Sequence, residues 1–288
     1  MVAIKHILFP VDFSDRSTAA IPFVTAMATR FGSKVTVISA VQPFYYGGMG
    51  DPGLLVMVDT DALIAELKTR LAGMVAKEFA QLKVEQFAEL GEPAEAITSF
   101  ADNHAVDLIM MPTHGYGPFR TLLLGSVAAK VLHDAKCPVW TAAHGTELPS
   151  PDHLNPRRIL CAVESAPKSM ALLQWAADFG KTTDASLRMI HVVPGIESWP
   201  ESLMNQEFER DMKAEARAQI AKMQESAGVD ATLCVESGHV ADAVRAEALR
   251  HNADLIVIGR GVLQETLGRL RSNAYGIIRQ APCPVLSL

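Results

Sequence analysis

Cysteine is scarce: four occur in 288 residues, Cys137, Cys161, Cys234 and Cys283, and no two of them form a C-x-x-C pair. That excludes a zinc cage of closely spaced thiolates and offers no disulfide framework, so the cysteines read as buried free thiols. Aromatic residues are few, 6% of the chain, and an excess of positive charge is missing, with 26 Lys and Arg against 32 Asp and Glu. The net charge of −6 excludes a broad electrostatic surface for nucleic acid, although a local phosphate site is compatible with it. Apolar runs long enough to span a bilayer are also missing, so no membrane partner is expected. The first residues, MVAIKHILFPVDFSD, reach a carboxylate at Asp12, too early for the apolar core of a signal peptide; the expectation is a cytoplasmic protein. Nine histidines are dispersed, without H-x-H or H-x-x-x-H on a helical stretch, and no metal site is expected. No G-x-S-x-G elbow occurs, so no catalytic residue is assigned.

What is present is a repeat. HILFPVDFS (6–14) returns as RILCAVESA (158–166), DLIMMPTHG (107–115) as DLIVIGRG (254–261), and AKCPVW (135–140) as APCPVL (281–286). The offset falls from 152 between Asp12 and Glu164 to 146 between Cys137 and Cys283, a loss of about six residues of the kind loops absorb. Two tandem domains follow, 1–144 and 158–288, joined by a proline-containing polar linker at 145–157.

Within each copy, short apolar runs alternate with helical spacing. In the first, 6–11, 34–41, 83–89, 107–111 and 138–142 read as strands, and 17–31, 59–82, 94–104 and 126–136 as helices. Strands near 158–163, 186–193, 231–236, 254–258 and 284–287 repeat the order. The expected fold class is therefore α/β: two doubly wound domains, each a five-stranded parallel sheet with helices on both faces. In such a sheet ligands sit beyond the carboxyl ends of the strands, where the winding reverses. That rule selects the loops after the first, second and fourth strands.

The fourth loop is PTHGYGPFRTLLLGS (112–126). Gly115 and Gly117 permit close approach to the main chain, and Ser126 reads as the N-cap of a helix whose Val127 and Ala128 amides would face an anion. His114 and Arg120 could add hydrogen bonds or charge. The plainer alternative is that Ser126 only caps its helix and the glycines only turn the chain. No Gly-Lys-Ser/Thr of a Walker loop occurs here, and PVDFSD after the first strand is not the glycine fingerprint of dinucleotide folds.

Taken in order, ILFPVDFSD, GEPAEAI (91–97), THG, nine residues, GS and CPV resemble the universal stress protein family, once per copy. The resemblance implies flavodoxin-like domains and, in one branch, bound ATP or AMP, with ADP and magnesium as further expectations. That branch carries G-x-x-G, nine residues, then G-[S/T]; Gly115, Gly125 and Ser126 match it, while Pro112 stands where the first glycine belongs and offers no N–H. By the same resemblance Pro10, Val11 and Asp12 lie beside the adenosine. The backbone of Val41 would read the adenine edge, and Met111, His114 and Val127 complete the set. Alternatives remain: a helix cap for Asp12, a role Asp15 could also fill, and plain core for Val41.

The second copy departs further. Glu164 replaces Asp12, Ala162 replaces Pro10, and Gly261 is followed after nine residues by Arg271-Ser272, without the glycine. Loss of nucleotide binding is expected there, with Arg260, Arg269 and Arg271 in ion pairs between the domains. The glycine-rich, tyrosine-bearing segment 42–57 reads as a lid over the nucleotide or as a loop excursion. His133 and His251 complement helix dipoles, and Glu209 with Lys213 is an i, i+4 pair on a solvated helix.

The expected function is a regulatory adenine-nucleotide-binding protein of the stress response that answers to an unknown protein partner. The two copies would pair as a pseudo-dimer about a pseudo-two-fold axis, with a homodimer also open. A nucleotide-free interaction scaffold, a weak ATPase and an adenylating enzyme are the rival readings.

Overall fold

The computed structural model describes residues 2–42, 59–114, 124–143, 154–195, 206–260 and 270–288. Gly115, Gly117, Arg120, Arg269, nearly all of the 42–57 segment and most of the 145–157 linker lie outside the described residues, as does the side chain of Arg271. The chain divides into two compact units.

One unit runs β1 (His6–Pro10), α1 (Asp15–Phe31), β2 (Lys34–Val41), α2 (Thr60–Glu78), β3 (Val84–Leu90), α3 (Pro93–Asn103), β4 (Leu108–Met111) and α4 (Ser126–Asp134). Its strands stand in the order β3-β2-β1-β4, all parallel. β1 and β4 are buried along their whole length, as continuous apolar runs in a sheet covered on both faces must be. Local chemistry sets the helix ends. Ser14 caps α1, accepting from the Ser17 amide, and Gly32 ends it with φ 65°, a left-handed conformation that suits glycine. The cap assigned to Asp12 or Asp15 therefore belongs to Ser14: Asp15 is already the first helical residue, and Asp12 lies too far upstream to face the open amides.

The other unit runs β5 (Val139–Thr141), β6 (Arg158–Ala162), α5 (Ser169–Thr183), β7 (Ser186–Val193), α6 (Gln206–Ala227), β8 (Thr232–Ser237), α7 (Val240–Arg250), β9 (Leu255–Ile258), α8 (Leu270–Gln280) and β10 (Val285–Ser287). Its strand order is β5-β10-β9-β6-β7-β8. All its pairings are parallel except that of β5 with β10, where Val139 faces Ser287 and Thr141 faces Val285. The sheet is parallel-dominated as expected, and this one antiparallel pair joins the fifth strand of the first repeat to the fifth of the second. Two short apolar strands with unpaired edges satisfy each other antiparallel, and the Thr141 hydroxyl adds a bond to the Val285 carbonyl.

Both copies start their first strand with the same device. Asp107 accepts the amides of Lys5 at 2.7 Å and His6 at 2.9 Å, and Asp254 accepts those of Arg157 at 3.1 Å and Arg158 at 3.0 Å. Each aspartate opens the fourth strand of its copy and fixes the entry of the first beside it, so the repeated DLI carries a structural role besides its apolar residues.

Candidate functional site

The candidate site is assembled at the carboxyl ends of β1, β2 and β4. Where β1 ends, the Val11 amide donates to the Ile38 carbonyl at 2.8 Å, which fixes the exit of the chain beside β2. Asp12 follows at the surface. Its Oδ1 accepts from the Ser14 amide at 3.0 Å, from the Ser14 hydroxyl at 2.6 Å and from the Ser17 hydroxyl. Three donors on one oxygen hold the carboxylate in one orientation. Phe13 between them adopts φ 62°, a left-handed conformation uncommon for a side chain of its size, and the Arg70 guanidinium lies over its ring at 4.1 Å. The turn after β1 is thus held from both sides.

Val41 is the last residue of β2 and half-buried; its carbonyl accepts the Gly91 amide at 3.0 Å. One of that oxygen's two lone pairs is therefore engaged before any ligand arrives. Gly91 precedes Glu92, which caps α3 by accepting from Ala94 at 3.2 Å and Glu95 at 2.9 Å, and Lys130 of α4 reaches the same carboxylate at 2.8 Å. Burial alone would raise the Glu92 carboxyl, but Lys130 and the two amides prevail and hold it below its ordinary value. In the sequence Glu92 stands out only as part of GEPAEAI; the Pro that follows at the first helical position is the signal that marks it as a cap.

At the end of β4, Met111, Thr113 and His114 are buried, and His114 Nδ1 lies 3.1 Å from the Thr113 hydroxyl. The Gly125 amide donates to the Thr113 carbonyl at 2.9 Å, drawing the start of α4 against the strand end. A Cβ on Gly125 would stand 3.1 Å from that carbonyl oxygen and 3.4 Å from the His114 Cα, so any other residue would crowd the approach. Ser126 is not the N-cap. Gly125 holds that position, with no side chain bonded to the helix end, because the bond to Thr113 places Ser126 already inside the first turn. The opening amides of α4, including Val127 and Ala128, thus have no capping side chain, and the helix dipole adds positive potential there.

The second copy lacks the first of these arrangements. The Glu164 amide still donates to the Ser169 hydroxyl at 3.2 Å, as the Asp12 amide does to Ser17 at 3.3 Å. Ser165, however, turns to Gln219 at 2.6 Å, and α5 begins after Lys168 without a side-chain cap. No hydrogen bond of the Glu164 carboxylate is found among the described residues. The stretch 261–269 lies outside them.

The sequence model of the universal stress protein family matches residues 3–142 and again 155–288. The chain belongs to the universal stress protein family. Similarity to curated members spans one domain at a time: universal stress protein MJ0531 of Methanocaldococcus jannaschii is 32% identical over 137 residues, 47% of this chain and 79% of that protein. A universal stress protein of Thermus aquaticus is 34% identical over 139 residues, 47% of this chain and 96% of its own. A solved universal stress protein from Archaeoglobus fulgidus follows the whole tandem fold, with a TM-score of 0.69 over 98% of this chain and 95% of its own at 24% identity. Among the described residues no helix of this universal stress protein is long and apolar enough to cross a membrane.

Two features outside the site complete the comparison with the sequence. Glu209 and Lys213 pair at 2.9 Å on α6, as their spacing predicts. A group that the sequence does not reveal is Cys234, Glu236 and Glu247, whose ligand atoms lie within 4.8 Å of one another. Cys234 and Glu236 share one face of β8, and α7 brings Glu247 to them across a sequence gap that no motif spans.

Proposed function

We propose that the first domain binds an adenine nucleotide, ATP in the first instance, and that the protein is a regulatory nucleotide-binding member of its family. The carrying observation is the Thr113 to Gly125 closure with an uncapped α4 behind it: main-chain donors and a helix dipole converge where a polyphosphate would lie. Asp12, held by Ser14 and Ser17, would accept from a ribose hydroxyl, and Val41 would meet the base with its main chain; the fixed orientation of the Asp12 carboxylate supports this reading. Pro10, Val11 and Met111 form the apolar floor, and Gly115 completes the loop by resemblance to the nucleotide-binding branch. Magnesium, where present, would neutralise the phosphates. Glu164, without the serine clasp, supports assigning the nucleotide to the first domain.

The test is native mass spectrometry of protein purified without added nucleotide, followed by melting with ATP, ADP and AMP. A mass increment of one nucleotide, or a melting shift that Gly125→Val removes, supports the reading. An absent increment with an unmoved melting temperature leaves the nucleotide-free scaffold, and phosphate release that Gly125→Val removes identifies a weak ATPase.

A further inference from the structure

The ends of the strands opposite the candidate nucleotide site differ sharply between the two copies. In the first copy this place is closed by two histidines and an aromatic ring, with the exposed Lys34–Glu85 pair at 2.7 Å beside them. His6 bonds to the Thr36 hydroxyl at 2.9 Å and the His104 carbonyl at 3.1 Å, and the Phe100 and His104 rings stack at 3.9 Å. Strand register and helix ends equate His6 with Arg158, Thr36 with Arg188, Phe100 with Glu247 and His104 with His251. What distinguishes the second copy is that Arg158, Arg188 and the buried Glu247 stand where the first has His6, Thr36 and Phe100.

A cleft of about 270 Å³ opens there, lined in part by Arg158, Arg188, Thr232, Glu247 and His251. Its charges are layered. The Glu247 and Asp254 side chains are 1% and 2% exposed, whereas those of Arg188 and Arg158 are 30% and 49% exposed. The acids lie beneath and the guanidinium groups above, so the surface offered to the cleft is cationic although the pairs are neutral. Glu247 takes Arg188 by Nε at 2.8 Å, and no hydrogen bond among the described residues engages the Arg188 terminal nitrogens. A guanidinium held by its Nε keeps the outer edge of its fork, the geometry that receives a carboxylate or phosphate. Burial and the neighbouring Glu247 and Glu236 push the Cys234 thiol up to about 11, so it stays neutral and adds no negative charge.

We propose that this cleft, at the amino ends of β6, β7 and β8, binds a small metabolite bearing a carboxylate or phosphoryl oxyanion, received by the outer edge of Arg188, while Arg158, gripped by Asp254 through Nε and Nη2, adds only its charge. Burying Glu247 against Arg188 costs desolvation that Phe100 in the same place of the first copy does not, and a bound oxyanion would draw on the guanidinium edge that this pairing leaves open. The site is independent of the nucleotide reading.

Calorimetry of the full chain with succinate and, separately, inorganic phosphate tests it. One saturable event per chain is expected with at least one of them, and which one responds names the oxyanion. Arg188→Lys keeps a cation against Glu247 but removes the fork, and weakens binding tenfold or more; Arg188→Gln, which loses the charge as well, is a second variant with at least that loss. Gly125→Val leaves this binding intact. The proposal is overturned by no heat with either anion, by equal binding of neutral succinamide, by unchanged affinity in both arginine variants, or by binding that Gly125→Val alone abolishes.

Discussion

The amide of Gly125 and the carbonyl of Thr113 meet at 2.9 Å, and the same oxygen would lie 3.1 Å from any Cβ placed on Gly125. One contact thus both draws the strand end to the helix and crowds any side chain there. Gly125→Ala must push strand end and helix start apart, a crowding cost on the order of 1 kcal/mol. The expected outcome is a small drop in melting temperature and at least a tenfold loss of ATP affinity by calorimetry. Unchanged affinity would separate the closure from nucleotide binding.

Ser17 is fully buried, and its hydroxyl bonds to the Asp12 carboxylate. Ser17→Ala and Asp12→Ala should each cost about 1–2 kcal/mol in urea unfolding, as the loss of a charge-assisted bond does. Because they remove the same interaction, the double variant is expected to fall short of their sum by at least about 0.5 kcal/mol. Additive losses would mean that the two side chains act separately.

Acid should weaken the second copy through Glu247. Burial opposes its ionised form, but Arg188, His251 and Arg250 prevail and the carboxyl sits below its ordinary value. A folded value below the unfolded one gives stability that is complete above the ordinary carboxylate range and lost as pH falls through the lowered value. Urea midpoints from pH 7 to pH 3 should therefore fall more steeply for the native chain than for Glu247→Gln. At pH 7 that variant, which leaves its cationic partners without a buried counter-charge, is expected to lose roughly 3–5 kcal/mol. Parallel pH curves would contradict the assignment.

Thiol chemistry offers an independent check on packing. Burial pushes Cys161 up to about 12, burial with Asp254 does the same for Cys283, and Cys234 stands at about 11. The thiolate is the reacting species, so these three should resist a disulfide reagent at pH 8 in the folded protein and react only on denaturation. Rapid labelling of Cys161 in native buffer would show that β6 is not sealed.

Much of this architecture is written in the chain. Strand and helix periods are local properties, and the repeat from HILFPVDFS to RILCAVESA announces two copies of one fold. Asp12 is placed by its position after the first apolar run, and its partners Ser14 and Ser17 are near neighbours in sequence.

Other features depend on groups the sequence keeps far apart. Ser126 looks like a cap until Thr113 claims the Gly125 amide, because a cap is decided by where the preceding backbone is anchored. The antiparallel meeting of Val139–Thr141 with Val285–Ser287, and the layering of Glu247 beneath Arg188, join distant parts of the chain through register alone. Sequence determined the elements, the duplication and the first turn at Asp12, since those follow from short-range spacing. Tertiary structure decided which carboxylate meets which amide or guanidinium, since that depends on strand register and burial, which composition and periodicity leave open.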